Sequence, residues 1–330
     1  MENKKILIIK LGAIGDVVHT TIIPEAIKLK HPTWEIHYMT SSVIAPILVD
    51  NKYIDKIIKY EKCNCVKLIK TIKELRKEKY DIVINLSYSI KNLILSYSCG
   101  AKQCQNRIYT NKSWVEDYFY SAKRVINDIE MPEYLALENN TNLVNSVKNK
   151  LDKYPKPYIV LNPGGYSSNI RQGRLWNIEK WKRLTQKLAE TYGGTIFING
   201  SKREREYHNN LKSKFCHIIS GDFSLKESCA LLSLADLVIS GDSGPLHIAS
   251  AQKNVKTLAI LGSTSPDKIK PFGKNGYYIG PKSKCKYCWK KKCKYLKEQG
   301  LYTPCTESIS TEMVVNKIKT NKLLKEYSFT

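Results

Sequence analysis

Lys5-Ile-Leu-Ile-Ile-Lys-Leu-Gly-Ala-Ile-Gly-Asp16 stands near the start of the chain and decides its class. The stretch 5–10 reads as a buried strand, because consecutive aliphatic residues without polar alternation suit a strand covered on both faces. Gly12 and Gly15 let the following loop turn tightly and let a ligand come close to the backbone. Residues 16–30 read as a helix that stops before His31-Pro32. A strand, a glycine turn and a helix opening on a carboxylate form the first step of a parallel α/β sheet.

Outward from this unit the alternation continues. Residues 35–39, 54–59 and 81–86 read as strands, 43–50 and 66–79 as helices, and 114–151 as a mostly helical stretch. Pro155 and Pro157 cannot sit inside a helix or a central strand, so 151–157 reads as a linker. The alternation then restarts. Strands are expected at 158–162, 195–199, 216–220, 237–240 and 255–261, and helices at 178–192, 203–214, 225–235, 245–251 and 310–325. This predicts two α/β domains, 1–153 and 154–309. A Cys- and Lys-rich segment occupies 282–305, and the last helix, within 310–330, is free to pack back on the first domain. In such sheets ligands collect at the C-terminal ends of the strands.

The 330 residues carry 54 Lys and Arg against 30 Asp and Glu, a formal net charge of +24. That excess suits an anionic partner such as nucleic acid, phospholipid headgroups or phosphorylated sugars, and equally suits dispersed, solvated lysines. No apolar run approaches the ~20 residues of a membrane span. The apolar start is too short for a signal peptide. The expectation is a cytoplasmic protein with reduced cysteines and at most peripheral membrane contact.

Three loops carry chemistry. Asp16 sits at a helix start, where a carboxylate either caps the helix or accepts a proton from a substrate hydroxyl. Ser240-Gly-Asp-Ser-Gly-Pro-Leu-His247 follows an apolar strand and opens a helix near Pro245. The amides there, including that of Gly244, together with the Ser243 hydroxyl, suit a diphosphate. Asp242 suits sugar hydroxyls or the turn itself, and His247 either faces the phosphates or packs on the sheet. Asn162-Pro-Gly-Gly-Tyr-Ser-Ser168, followed by Arg171 and Arg174, is a third phosphate-type loop. The missing G-x-G-x-x-G pattern after the first strand disfavours a nicotinamide dehydrogenase, and a basic nucleic-acid binder is the remaining alternative outside the enzyme class.

Cys285, Cys288, Cys293 and Cys305 have gaps that suit a tetrahedral structural zinc or iron, or are free thiols in a solvated loop. Eight lysines between Lys282 and Lys297, with Tyr287, Trp289 and Tyr295 among them, also suit headgroups or a phosphorylated acceptor.

Taken together, KILIIKLGAIGDVVHTTIIPEAI, NPGGYSS with Arg174-Leu-Trp176, GDSGPLHIASA, and Leu261-Gly-Ser-Thr-Ser-Pro266 with Pro271-Phe-Gly273 resemble glycosyltransferase family 9, the ADP-heptose:lipopolysaccharide heptosyltransferases. The resemblance implies a GT-B fold, with two Rossmann-like parallel-sheet domains facing across a cleft, the first binding acceptor and the second nucleotide sugar. It implies an inverting, metal-independent transfer from ADP-heptose to an anionic inner-core glycolipid at the cytoplasmic face of the inner membrane, with no nucleic acid partner. Asp16 matches the family's general base. Ser167, Ser168, Arg174, Ser243, Gly244, Pro245 and His247 match donor-phosphate positions, with Arg174 where Lys is usual and Ser243 where Thr is usual. Asp242 matches the donor-site Asp, Glu204 a ribose-binding acid, and Phe223 falls near the adenine position. Similar cysteine groups occur in part of the family. Another nucleotide sugar, or a protein or other glycan acceptor, is the alternative within the class.

Overall fold

A computed structural model describes residues 3–61, 65–87, 89–164, 173–290, 292–295 and 302–325. The chain divides into two compact units, Met1–Asn139 and Asn140–Thr330.

Unit 1 is a five-stranded parallel sheet of β1 (Lys5–Ile9), β2 (Glu35–Ser41), β3 (Lys56–Tyr60), β4 (Ile82–Asn85) and β5 (Gln103–Asn106), in the order β3-β2-β1-β4-β5. Its central strands are apolar on both faces because helices cover both. Leu7, Ile9, Met39 and Val83 join Leu68, Leu75 and Leu95 in one buried cluster. The helices are α1 (Ile14–Thr20), α2 (Ile22–Lys30), α3 (Cys65–Lys77), α4 (Ile90–Ser98) and α5 (Trp114–Lys123).

Unit 2 contains a six-stranded parallel sheet. Its strands are β6 (Tyr158–Asn162), β7 (Thr195–Ile198), β8 (His217–Ile218), β9 (Leu237–Gly241), β10 (Lys256–Ile260) and β11 (Gly276–Ile279). Their order is β11-β10-β9-β6-β7-β8. Helices α6 (Thr141–Leu151), α7 (Ile178–Tyr192), α8 (Leu225–Ser233), α9 (Gly244–Ser250) and α10 (Thr311–Thr320) flank it. Trp176, Trp181, Leu184 and Leu188 anchor the core against Ile159 and Ile239. In both sheets the chain adds strands outward to one side, then returns to the centre and builds the other side. The two reversal points lie between β1 and β4 and between β6 and β9. A sheet of this kind opens a crevice at the C-terminal ends of those neighbours.

Several expectations are corrected. The helix expected over 16–30 is two helices, because Pro24 cannot donate in the first turn of α2 and Thr20 and Thr21 turn their hydroxyls back onto the carbonyls of Val17 and Val18. The helix expected over 43–50 is a 3₁₀ turn, Ala45–Leu48. The helix expected over 203–214 is broken into short turns around Arg205–His208. The unit boundary falls at 139/140 rather than at the prolines. Helix α6 buries Val147 and Leu151 and pairs Lys150 with Glu227 of α8 at 2.8 Å, so it belongs to unit 2. The last helix, α10, lies on α7 and buries Val314 and Ile318 in the core of unit 2. Strands β5 and β11 and helix α4 were not anticipated. No described helix is long and apolar enough to cross a membrane.

Candidate active site

In unit 1 the loop after β1 stands at the reversal point. Lys10, one residue beyond the strand, is only 2% exposed. Its ammonium donates to the Leu86 carbonyl after β4 at 3.3 Å and lies 3.3 Å from the Asp16 carboxylate. Asp16 is the third residue of α1, not its cap. It accepts from the Ala13 N–H at 3.1 Å and from the Tyr118 hydroxyl of α5 at 3.0 Å. Arg107 donates to the Tyr118 oxygen at 2.7 Å and stacks over its ring at 4.0 Å.

Burial first, then the negative charge of Asp16, pushes the Tyr118 phenol up, so it stays protonated and can only donate to the carboxylate. Burial pushes the Lys10 ammonium down; Asp16 opposes this and Arg107 adds to it. Asp16 therefore has two donors and a cation fixed around it, while a fifth of its side chain still meets solvent. A carboxylate so held is oriented to receive one proton.

In unit 2 the corresponding reversal point joins Asn162 of β6 to Ser240 of β9, partners in register. Ser240 Oγ lies 2.9 Å from Ser243 Oγ, so the Ser243 hydroxyl is tied to the turn rather than capping α9. Pro245 is the second residue of α9, after Gly244. Asp242 is buried and 2.7 Å from an Arg174 Nη. His247 Nε2 lies 3.7 Å from its other oxygen, so His247 turns toward the loop carboxylate. Burial works to raise the Asp242 carboxyl, but the neighbouring His247, the Arg174 charge and Thr264 outweigh it and hold it below the usual range. Arg174 Nε is buried and has no hydrogen-bond partner among the described residues. A buried N–H without an acceptor costs about 1–3 kcal/mol, which an incoming anion would recover.

The wall of this site reaches far along the sequence. Trp289 lies over the Arg174 guanidinium at 5.5 Å, and its backbone N–H donates to the Ser263 carbonyl after β10 at 2.9 Å. Gly173 has φ +64°, and a Cβ there would come 2.7 Å from Thr303 and 3.1 Å from Cys293. The Cys-rich segment thus packs under the loop that carries Arg174.

Of the other candidates, Glu204 follows β7 at the same sheet end, and its carboxylate accepts from both the N–H and the hydroxyl of Ser201 at 2.8 Å. Phe223 follows β8 and lies under Lys150, 5.6 Å from its ammonium. Neither touches the Arg174–Asp242–His247 cluster in any described contact. Ser167 and Ser168 lie outside the described residues. Gly12 lies in the loop before α1, whereas Gly15 is the second residue of α1, so the helix starts earlier than expected. Cys293 and Cys305 are buried, Cys285 is half-buried and Cys288 exposed. Burial, with Cys285 and Cys293 adding, pushes the Cys305 thiol up to about 11. Among the described residues no three His, Cys, Asp or Glu side chains form a group that could hold a metal.

The profile of glycosyltransferase family 9 (heptosyltransferase) matches residues 68–298. The chain belongs to this glycosyltransferase family. The family 9 chain is 24% identical over 292 residues to the lipopolysaccharide core heptosyltransferase OpsX of Haemophilus influenzae, covering 82% of each protein. It is 24% identical over 270 residues to lipooligosaccharide heptosyltransferase 2 of Campylobacter jejuni, covering 76% of this chain and 82% of that one. Its fold matches the structure of E. coli ADP-heptose LPS heptosyltransferase II with a TM-score of 0.78 at 19% identity, over 97% and 98% of the two chains. The architecture is therefore GT-B, and the dehydrogenase reading is set aside.

Lys10, Arg107, Tyr118, Thr264 and Trp289 were not singled out for these sites in the sequence. Only Lys10 left a signal there: a lysine closing an otherwise aliphatic strand needs a partner.

Proposed function

We propose that this glycosyltransferase moves a heptose from ADP-heptose to an inner-core lipopolysaccharide acceptor, with inversion and without a catalytic metal. The observation that carries the reading is Arg174. Its charge stands at the strand reversal point of unit 2, beside Asp242, with a buried Nε that no described residue accepts from. A diphosphate supplies that acceptor, and the sugar is taken from E. coli ADP-heptose LPS heptosyltransferase II, which shares the fold.

In this reading Asp16, oriented by Tyr118 and Lys10, takes the proton of the acceptor hydroxyl. The freed oxygen bonds to the anomeric carbon while the bond from that carbon to the diphosphate oxygen breaks, and its electron pair leaves with the nucleotide. Attack opposite the leaving group inverts the centre. Arg174, the Ser243 hydroxyl and the amides opening α9 meet the growing charge on the diphosphate. Arg174 and His247 flank Asp242, which is proposed for sugar hydroxyls. Glu204 and Phe223 are proposed for ribose and adenine.

Cys285 and Cys293 lie close enough to Cys305 to raise its thiol, and with Cys288 they are proposed as holders of a structural zinc or iron outside the catalytic step. Metal analysis of the purified chain tests this. The enzyme is placed at the cytoplasmic face of the inner membrane, with no nucleic acid partner.

Calorimetry with ADP and a transfer assay with ADP-heptose and inner-core glycan, read by mass spectrometry and anomeric NMR, test the reading. Micromolar ADP binding with sugar transfer and an inverted anomer supports it. Absence of ADP binding, or turnover by Asp16→Asn equal to the parent, ends it.

A further inference from the structure

Helix α4 is built inside out. Its residues Ile90, Ile94 and Tyr97 share one face at i, i+4 and i+7, and that face is exposed: 75%, 46% and 66%. Its inward face holds Asn92 and Ser96 beside Leu95. An apolar outer face over a partly polar inner one is the reverse of what burial alone selects.

The neighbouring helix α3 repeats the pattern and adds charge. Leu68 and Leu75 point into the core, while Val66 and Ile69 are 74% and 54% exposed. Lys70, Lys73 and Lys77 continue that outer face at helical spacing and are exposed, as is Lys91 at the flank of α4. The two helices touch, with Arg76 of α3 donating to the Ser98 carbonyl of α4 at 2.6 Å. Because each follows a parallel strand, α3 after β3 and α4 after β4, both begin at the sheet edge that carries Gly12–Asp16. Their exposed aliphatic residues crowd toward that same edge.

We infer that the α3–α4 face of unit 1 is a docking surface for an anionic lipid bilayer. Aliphatic and aromatic side chains enter the headgroup boundary while a lysine rim attracts anionic lipids, the two components of interfacial binding. A second copy of this chain fits less well: it would bring the same lysines against themselves in a protein of net charge +24. The inference deepens the function proposed above, from which it takes a lipid-linked acceptor. It places the bilayer beside the edge that bears the base, so an acceptor sugar need only rise past the helix ends.

The test is co-sedimentation of the full chain with vesicles of phosphatidylcholine, alone or mixed with phosphatidylglycerol, across a salt series. The parent is expected to bind the anionic vesicles and release as salt rises. Ile90→Glu with Ile94→Glu, at two solvent-facing positions, should weaken binding by about tenfold or more. Lys70→Gln with Lys73→Gln and Lys77→Gln should remove the anionic preference. Two results overturn the surface: failure of the parent to bind, or parent-like binding by the glutamate variant. Light scattering adds a third, a parent dimer that the glutamate variant dissolves, which would give the face to a second copy. ADP calorimetry on the same samples separates the two ideas. Vesicle binding without ADP binding would sink the transferase chemistry alone, and the converse would sink the docking surface alone.

Discussion

The Tyr118 hydroxyl meets the Asp16 carboxylate at 3.0 Å across 102 residues of sequence. The contact fixes one carboxylate oxygen, and Lys10 and the Ala13 N–H fix the other. Tyr118→Phe keeps the ring under Arg107 and removes both the donor to Asp16 and the oxygen that accepts from Arg107. Turnover should fall roughly tenfold, the size of one hydrogen bond to a charged group. ADP affinity should not change, since Tyr118 belongs to unit 1.

Lys10→Met separates function from stability. The Lys10 ammonium is disfavoured by burial in the folded protein. Between its lowered folded value and 10.5 the unfolded chain binds more proton, so stability rises with pH through that window and is penalised below it. Removing the charge should leave the melting temperature unchanged or raise stability by about 1 kcal/mol, while turnover drops. A large fall in melting temperature would show that Lys10 is chiefly structural.

Arg174→Ala should weaken ADP binding by about 10–100-fold, the equivalent of a charge-assisted contact. It also leaves Asp242 buried beside His247 without its main cation, so stability should fall by about 3 kcal/mol. Arg174→Lys should restore stability better than affinity, because a lysine cannot offer two donors in one plane. Titration calorimetry and thermal melts read the two effects separately.

Gly173→Ala places a methyl 2.7 Å from Thr303 at a left-handed φ. Stability should drop by about 1–3 kcal/mol. Thr303→Ser in the same chain removes the clashing methyl but not the backbone cost, so it should recover part of the loss. ADP affinity should follow the same order, because the loop leads directly into Arg174.

The pairing of α6 with α8 has a signature in acid. Lys150, then the backbone and hydroxyl of Ser224, push the Glu227 carboxyl down to about 2. A carboxylate lowered on folding stabilises above its unfolded value of 4.5, and that stability is lost as pH falls toward 2. Glu227→Gln should flatten the acid limb of the stability curve in that window. The change should stay below about 1 kcal/mol, since Lys150 is half exposed. An unchanged acid limb would show that the pair contributes nothing.

Much of the fold could be read where local pattern and tertiary demand agree. Helix α7 is found over the expected residues 178–192 because Asn177 caps it and Gly193 ends it, with Trp181, Leu184 and Leu188 on one stripe. β1, β6 and β9 are continuous aliphatic runs. Strand β5 escaped because Gln-Cys-Gln-Asn at a sheet edge has no apolar period. Helix α4 escaped because its apolar residues face outward. The site was legible as loops, since glycine, serine and a helix start are local signals. Its contacts were not, since Tyr118 on Asp16 and Trp289 on Arg174 are decided by which strands end side by side.

Trp289 resting on Arg174 gives the Cys-rich segment a mechanical hold on the guanidinium. Whatever stiffens, loosens or derivatises that stretch, including chemistry at the exposed Cys288 next to Trp289, is felt at the cation without entering its pocket. An exchange of this segment between relatives would therefore reset the guanidinium while every loop residue stayed the same.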